Sequence, residues 1–387
     1  MGQENRRIVL GVTADMSIGL MRGFPGYLVD KGWDVHVVSS PGPLLDELDG
    51  TPGITTHRIS MARKPAPLAD LKALVQWVRL LMRLRPHVTS IGTPKAGLLG
   101  GLAALVTRVP SRVYLVRGLP LETATGPAFI ALMMLEKLAF AAAHTAIAVS
   151  FSLKGRVVDL GLAGPEKVTV LGAGSSNGVD LHRFSRARSD SADRAALAAQ
   201  LGLDPTLPVI GFVGRLTADK GLTLLAEARA LLTQQGIAHQ LLVVGGIEDG
   251  LKARDLLSLR CAGRAPIETG QVRDTAPYYH MMDILCLPTR REGFPNVVLE
   301  AAASNVATVT TDATGAVDSV IDGETGLIVE KHSPEALAGA LATLILDEGK
   351  RETMGIMARR RAEEHFSQPH VWSLFEEYYY AQSSRTR

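Results

Sequence analysis

Short runs of β-branched and other apolar residues recur along the chain, separated by stretches with helical spacing. In the first half they predict strands at 6–13, 34–39, 55–59, 87–91, 112–116, 145–150 and 167–171. In the second half they predict strands at 208–213, 239–245, 266–270, 283–288, 306–311 and 326–329. Helical patterns lie between them. In 70–85, for example, Leu71, Leu74, Val75, Val78 and Leu81 are assigned to one face, with Arg79, Arg83 and Arg85 elsewhere. Strand, helix and strand in series predict parallel sheets covered on both faces. Two such series predict an α/β protein of two doubly wound domains. The boundary is placed in 174–193, which is polar, glycine-bearing and serine-rich. This sets a first domain at 1–185, a second at 186–366 and a terminal segment at 367–387. Pro369 breaks the chain ahead of that last segment, whose apolar positions predict docking away from the second domain.

A length of 387 residues agrees with two domains, and 46% hydrophobic with 21% charged residues agrees with large cores. Aromatic residues make up only 5%, which argues against a partner bound by base stacking, and no nucleic-acid partner is expected. Cys261 and Cys286 lack metal-ligand spacing and are read as reduced thiols. The start, MGQENRRIVLGV, has too short an apolar run for a signal peptide. Arg6 stands where a myristoylation signal requires Ser or Thr. No uncharged stretch reaches the roughly 20 residues of a membrane span, so a cytoplasmic location is expected. The net charge is only +2, yet residues 1–185 carry +7 and the remainder −5. A basic first half suits an anionic partner such as a diphosphate or a membrane surface. The stretches 61–68 and 74–85, basic and partly apolar, are the candidates for peripheral contact with anionic lipid.

Doubly wound sheets bind ligands beyond the carboxyl ends of their strands. The first loop, TADMSIGLMRG, lacks a G-x-G-x-x-G fingerprint, and no G-x-x-x-x-G-K-[ST] occurs, so a dinucleotide enzyme and a P-loop nucleotidase are both disfavoured. No Asp-x-Asp occurs, which argues against a sugar transferase that holds a metal on such a pair; no metal and no cofactor are expected. GRLTADKGL (214–222) follows the first strand of the second half and sets Arg215 and Lys220 on a strand-to-helix turn, where two cations could clamp a diphosphate. EGFPNVVLE (292–300) follows the strand at 283–288. Gly293 and Pro295 forbid a helix through its first half, and Asn296 opens one, with Pro295 tolerated in the first turn. The amides of Gly293, Phe294 and Asn296 would then face an anion. Glu300, one turn past Asn296, and Glu292, on the loop before it, would reach hydroxyls on either side. Anion donors between two carboxylates suit a nucleotide-sugar: amides on the diphosphate, one Glu on ribose, the other on the sugar.

GRLTADKG, GQV (270–272) and EGFPNVVLE together resemble the retaining glycosyltransferases of family 4, and the resemblance runs over nearly the whole chain. TPKAGLLG (93–100), GLPLETATG (118–126) and GSSNGVD (174–180) are similar to members that build bacterial surface polysaccharides and lipid-linked sugars. The resemblance implies a GT-B fold, two Rossmann-like domains facing an interdomain cleft, with a terminal helix crossing back to the first domain. It implies Arg215 and Lys220 on the donor diphosphate, Glu292 on the transferred sugar, Glu300 on the ribose and the main chain at Val272 beside the base. Many members carry a histidine before a glycine in the first domain; here YLVRGLP puts Arg117 at that position, where it could contact phosphate or sugar. The expected activity is metal-independent transfer of a hexose or N-acetylhexosamine from a nucleotide-sugar, with UDP the expected nucleotide. The expected acceptor is a saccharide or a polyprenyl-diphosphate-linked saccharide. A nucleotide-sugar epimerase of the same fold and a non-catalytic sugar-nucleotide-binding subunit remain open.

Overall fold

The computed structural model describes residues 6–62, 66–185, 191–248, 258–260 and 262–384. Cys261, residues 63–65 of the basic stretch and residues 186–190 of the linker lie outside these. Among the described residues, thirteen strands form two sheets. The first sheet contains β1 (Arg6–Gly11), β2 (Trp33–Ser39), β3 (Ile54–Arg58), β4 (Val88–Gly92), β5 (Ser111–Val116), β6 (Thr145–Ala148) and β7 (Val168–Thr169). Its order is β3-β2-β1-β4-β5-β6-β7, parallel throughout. The second contains β8 (Val209–Val213), β9 (Gln240–Val244), β10 (Ile267–Glu268), β11 (Ile284–Leu287), β12 (Ala307–Thr311) and β13 (Gly326–Val329), in the order β10-β9-β8-β11-β12-β13, again parallel. Every predicted strand is present. β8, β9, β11 and β12 are buried along their whole length, as strands covered on both faces must be. Both sheets are Rossmann-like. In each the strand order reverses at one point, between β1 and β4 and between β8 and β11, and a crevice opens there beyond the carboxyl ends.

The chain divides between Asn177 and Gly178: one unit comprises 1–177 with 369–387, the other 178–368. The boundary falls eight residues before the predicted 185. The reason is that 178–185 pack with the second sheet's helices: the Ser304 hydroxyl donates to the Phe184 carbonyl at 2.7 Å, and the Phe184 ring meets Tyr279 edge-on. The terminal helix, Gln368–Ser384, belongs with the first unit from residue 369 on. Trp372 Nε1 donates to Asn177 at 2.8 Å, and the Tyr379 and Ser90 hydroxyls bond at 2.7 Å. Gly23 is required there: it has φ 83°, and a Cβ on it would sit 2.7 Å from the Trp372 ring.

One helix face departs from the sequence reading. In Pro67–Leu84 the buried residues are Ala73, Trp77, Leu81 and Leu84, while Leu71 is 60% exposed and Val75 also faces outward. The helix carries two apolar stripes. Trp77, the largest side chain, takes the core with Leu81; Leu74 and Val78 of the expected face pack half-buried against it, and Leu71 and Val75 stay outside. Cys286 is buried in β11, where loss of solvation pushes its thiol well above the ordinary value.

Candidate functional site

Three loops of the second unit converge at the crevice between β8 and β11. The loop after β8 ends in a single 3-10 turn, Ala218–Lys220, closed by Gly221. Gly221 has φ 74°, and a Cβ on it would lie 1.8 Å from the Pro288 carbonyl oxygen, so only glycine lets this turn lie against the strand end of β11. Gly315, after β12, has φ 76° and would meet the Gly293 carbonyl oxygen at 2.4 Å. Backbone bonds tie the loops together: the Arg290 amide donates to the Asp219 carbonyl at 2.9 Å, and the Glu292 amide to the Thr314 carbonyl at 2.8 Å.

This convergence places two of the sequence-predicted residues in contact. Lys220 Nζ lies 2.5 Å from Glu292 Oε1, with the side chains only 17% and 12% exposed. Arg215, earlier in the same loop and more exposed, pairs with Glu248 instead. Asp219 reinforces the turn. Burial would raise its carboxyl, but the Thr217 hydroxyl, Arg291 and Lys220 outweigh that and hold it below the ordinary value.

The helix after β11 runs Asn296–Ala303, and Pro295 is its N-cap rather than part of its first turn. The Phe294 ring is buried and packs on Phe366 at 5.3 Å. Asn296 Oδ1 is buried and has no hydrogen-bond partner among the described residues. Glu300, one turn on, accepts a 2.7 Å bond from the Tyr279 hydroxyl. Burial pushes the Glu300 carboxyl up to about 7, against the lowering effects of Tyr279, Arg183 and Thr275, while Asp274 adds to the rise. The Tyr279 hydroxyl is raised well above its ordinary value by burial and by Glu300. Val272 lies four residues past Glu268, the last residue of β10, on the edge strand of the sheet.

Arg117 belongs to the first unit, directly after β5. Its Nε is buried and has no partner among the described residues, and burial pulls the guanidinium down to about 10, partly offset by Tyr379. Gly92 makes room for it, since a Cβ there would lie 2.6 Å from Arg117 Nη1.

The sequence reading left out Glu248, Asp219, Tyr279 and Gly315. Asp219 stood inside the GRLTADKG motif and could have been weighed. Nothing in local spacing connects Tyr279 with Glu300 or Glu248 with Arg215, because the first pair joins two helices and the second two loops that are separate in sequence.

Both halves of the chain match known family models. Residues 26–174 match a glycosyl transferase 4-like domain, and residues 207–347 match glycosyl transferases group 1. A capsular polysaccharide biosynthesis glycosyltransferase of Staphylococcus aureus, CapM, is 39% identical over 378 residues, covering 97% of each chain. A D-inositol 3-phosphate glycosyltransferase of Rhodococcus jostii is 34% identical over 218 residues, 54% of this chain and 46% of that protein. Among solved structures, a glycosyltransferase from Rickettsia africae superposes with TM-score 0.80 at 20% identity, covering 98% of this chain and 99% of the other. The Anabaena protein HepE, solved with UDP, gives TM-score 0.77 at 20% identity, covering 97% and 100%. These likenesses show the GT-B fold.

Proposed function

The chain belongs to the glycosyltransferases of group 1, and on that premise we propose that it moves a hexose or N-acetylhexosamine from a UDP-sugar, retaining the configuration of the anomeric carbon. The acceptor in this reading is a saccharide or a polyprenyl-diphosphate-linked saccharide of a surface polysaccharide. The similarity to the S. aureus capsular enzyme over 97% of both chains supports the polysaccharide class. UDP in the Anabaena neighbour supports the nucleotide.

The observation that carries the reading is the Lys220–Glu292 pair at the switch point of the second sheet, with Glu300 on the helix that follows the Glu292 loop. Lys220 and Arg215 bring positive charge to where a diphosphate would lie. Glu292 orients the transferred sugar and favours positive charge as it develops at the anomeric carbon. Asn296 Oδ1, unpartnered, offers an acceptor to the same ligand. Glu300 takes the ribose hydroxyls, and the main chain at Val272 lies beside the base. In the transfer step the bond from the anomeric carbon to the diphosphate oxygen breaks. The bond to the acceptor oxygen forms on the same face, and the acceptor proton passes to the leaving diphosphate. Positioning and charge on the leaving group do this work, and Arg117 contributes a positive charge on the acceptor's side.

No helix among the described residues is long and apolar enough to cross a membrane. The protein in this reading works in the cytoplasm, with the exposed stripe of Pro67–Leu84 against the inner face of the cell membrane. Lys72, Arg79 and Arg83 are exposed on that helix, whose one acid, Asp70, is paired with Lys95.

Two measurements test the proposal. A thermal-shift screen of nucleoside diphosphates should show UDP raising the melting temperature above the effect of ADP or GDP, since a ligand that binds only the native state stabilises it. A larger shift with another base would reassign the nucleotide, and no shift with any would refute the donor site. Transfer activity should also survive excess EDTA, because the diphosphate charge is met by Lys220 and Arg215. Loss restored by Mg²⁺ or Mn²⁺ would refute the metal-free mechanism.

A further inference from the structure

The loops after β1, β4 and β5 of the first unit surround a cavity of about 460 Å³, within the range of small-molecule sites. Leu98, Leu99, Leu132, Leu135, Pro94 and Pro120 supply most of its wall. Most of its polar groups are engaged with one another, with the backbone or with a neighbouring side chain. The Thr13 and Thr93 hydroxyls bond at 2.8 Å, Thr93 Oγ1 accepts from the Thr13 amide, and Thr13 Oγ1 accepts from the Ala96 amide, both at 2.9 Å. Lys95 Nζ lies 2.8 Å from Asp70. Glu136 accepts from the Tyr114 hydroxyl at 2.9 Å, and burial holds its carboxyl up to about 7, so much of it is uncharged near neutrality. A wall of this kind asks its occupant for apolar surface rather than for hydrogen bonds.

The wall continues to the surface. The helix Gly126–Ala142 gives Leu132 and Leu135 to the cavity and exposes Ile130, Met134 and Leu138 at four-residue spacing. Its one acid, Glu136, is buried, and Lys137 is exposed. Across the cavity, Pro67–Leu84 exposes Leu68 and Leu71 beside Lys72. Apolar surface bordered by lysines complements an anionic amphiphile. Thr93, on the cavity wall, has φ 69°, a strained conformation for a β-branched residue, and such strain gathers at ligand sites.

We infer that this cavity receives the hydrocarbon chain of a lipid-linked acceptor, so that the first unit grips its acceptor by the tail; the inference rests on the glycosyltransferase reading above. Binding of alkyl and prenyl phosphates, each below its micelle concentration, tests it by calorimetry. Affinity should rise about fourfold for each added methylene until the cavity is filled. Farnesyl phosphate should therefore bind better than geranyl phosphate, and both far better than butyl phosphate. Leu98→Trp, which fills the cavity, and Leu132→Asp, which charges its wall, should each weaken farnesyl phosphate at least tenfold. Equal affinity for butyl and farnesyl phosphate would reduce the site to a phosphate contact and overturn the inference. So would farnesyl binding unaltered in both variants, or attachment to anionic vesicles without binding of any soluble prenyl phosphate. Self-association that buries Gly126–Ala142 and leaves no prenyl binding would assign the surface to a second copy instead. UDP titrated into the same samples keeps the two readings apart. UDP binding without prenyl binding sinks only the tail site; prenyl binding without UDP binding sinks the donor assignment.

Discussion

Replacing Glu292 by alanine should slow single-turnover transfer by about 10²–10³-fold while leaving the affinity for UDP equal or slightly tighter. Free UDP carries no sugar for Glu292 to hold, and the substitution releases Lys220 from its 2.5 Å pair to meet the diphosphate. Glu292→Gln keeps an acceptor without the charge, so it should recover donor binding better than rate. Glu300→Ala should behave differently, weakening UDP and UDP-sugar by a similar factor, because ribose is common to both. That variant also strands the buried Tyr279 hydroxyl, at a cost of about 1–3 kcal/mol, so Tyr279→Phe and the melting temperature are its controls. The pH dependence separates the two glutamates again. The Glu300 carboxyl titrates at about 7, and ribose hydroxyls donate to its ionised form, so UDP-sugar affinity should rise as pH passes through 7 and stay flat in Glu300→Gln. UDP-sugar is the ligand to use, since the terminal phosphate of free UDP itself gains a proton near a pKa of about 6. On the stability of the unliganded protein the sign is opposite. The unfolded glutamate titrates at its ordinary value of 4.5, so the contribution is complete below that and is lost as pH rises through about 7. If Glu292→Ala loses UDP binding as badly as Glu300→Ala with an intact melting temperature, the division of labour between them is wrong.

Lys220→Ala should weaken UDP by about 1.5–3 kcal/mol, roughly 10- to 150-fold, and Arg215→Ala by less. The difference follows from exposure. Lys220 sits at 17% exposure, where its charge is poorly screened, whereas the Arg215 side chain is 56% exposed and held by Glu248. Losing Lys220 also leaves Glu292 as an uncompensated negative charge facing the diphosphate. The double variant Lys220→Ala with Glu292→Ala should therefore bind UDP better than Lys220→Ala alone, and the cycle measures their coupling. Raising the salt concentration should shrink the Arg215 effect more than the Lys220 effect. Unchanged UDP affinity in both single variants would remove the diphosphate from this loop.

Much of the architecture was legible along the chain because backbone preference and burial are local. A strand buried on both faces is largely apolar or β-branched along its length, and runs such as 208–213 and 283–288 say so without a partner in view. The alternation of strand and helix then allows few topologies, since parallel crossovers take one hand. The site's parts list was legible for a similar reason. Gly293, Pro295 and Asn296 announce a turn into a helix, and charges on either side of it have no packing role to explain them.

Pairing was settled only by the tertiary structure. Lys220 meets Glu292 across 72 positions, and Arg215 meets Glu248 across 33. The first closes because β8 and β11 are neighbours at the switch point and because Gly221 and Gly315 admit backbone where a Cβ would collide; the second closes because the loops after the paired strands β8 and β9 run side by side, bridged at Leu216 and Ile247. The same limit explains the helix Pro67–Leu84. Its sequence offers two apolar stripes of helical period, and period alone does not rank them; Trp77 filling the space against the first sheet decides which is core. The raised Glu300 carboxyl likewise depends on burial beneath neighbouring elements, which outweighs the lowering bond from Tyr279, and neither has a signature in residue spacing. Local chemistry thus determined the elements and the reactive groups, while contacts between loops remote in sequence determined which groups face one another and with what charge.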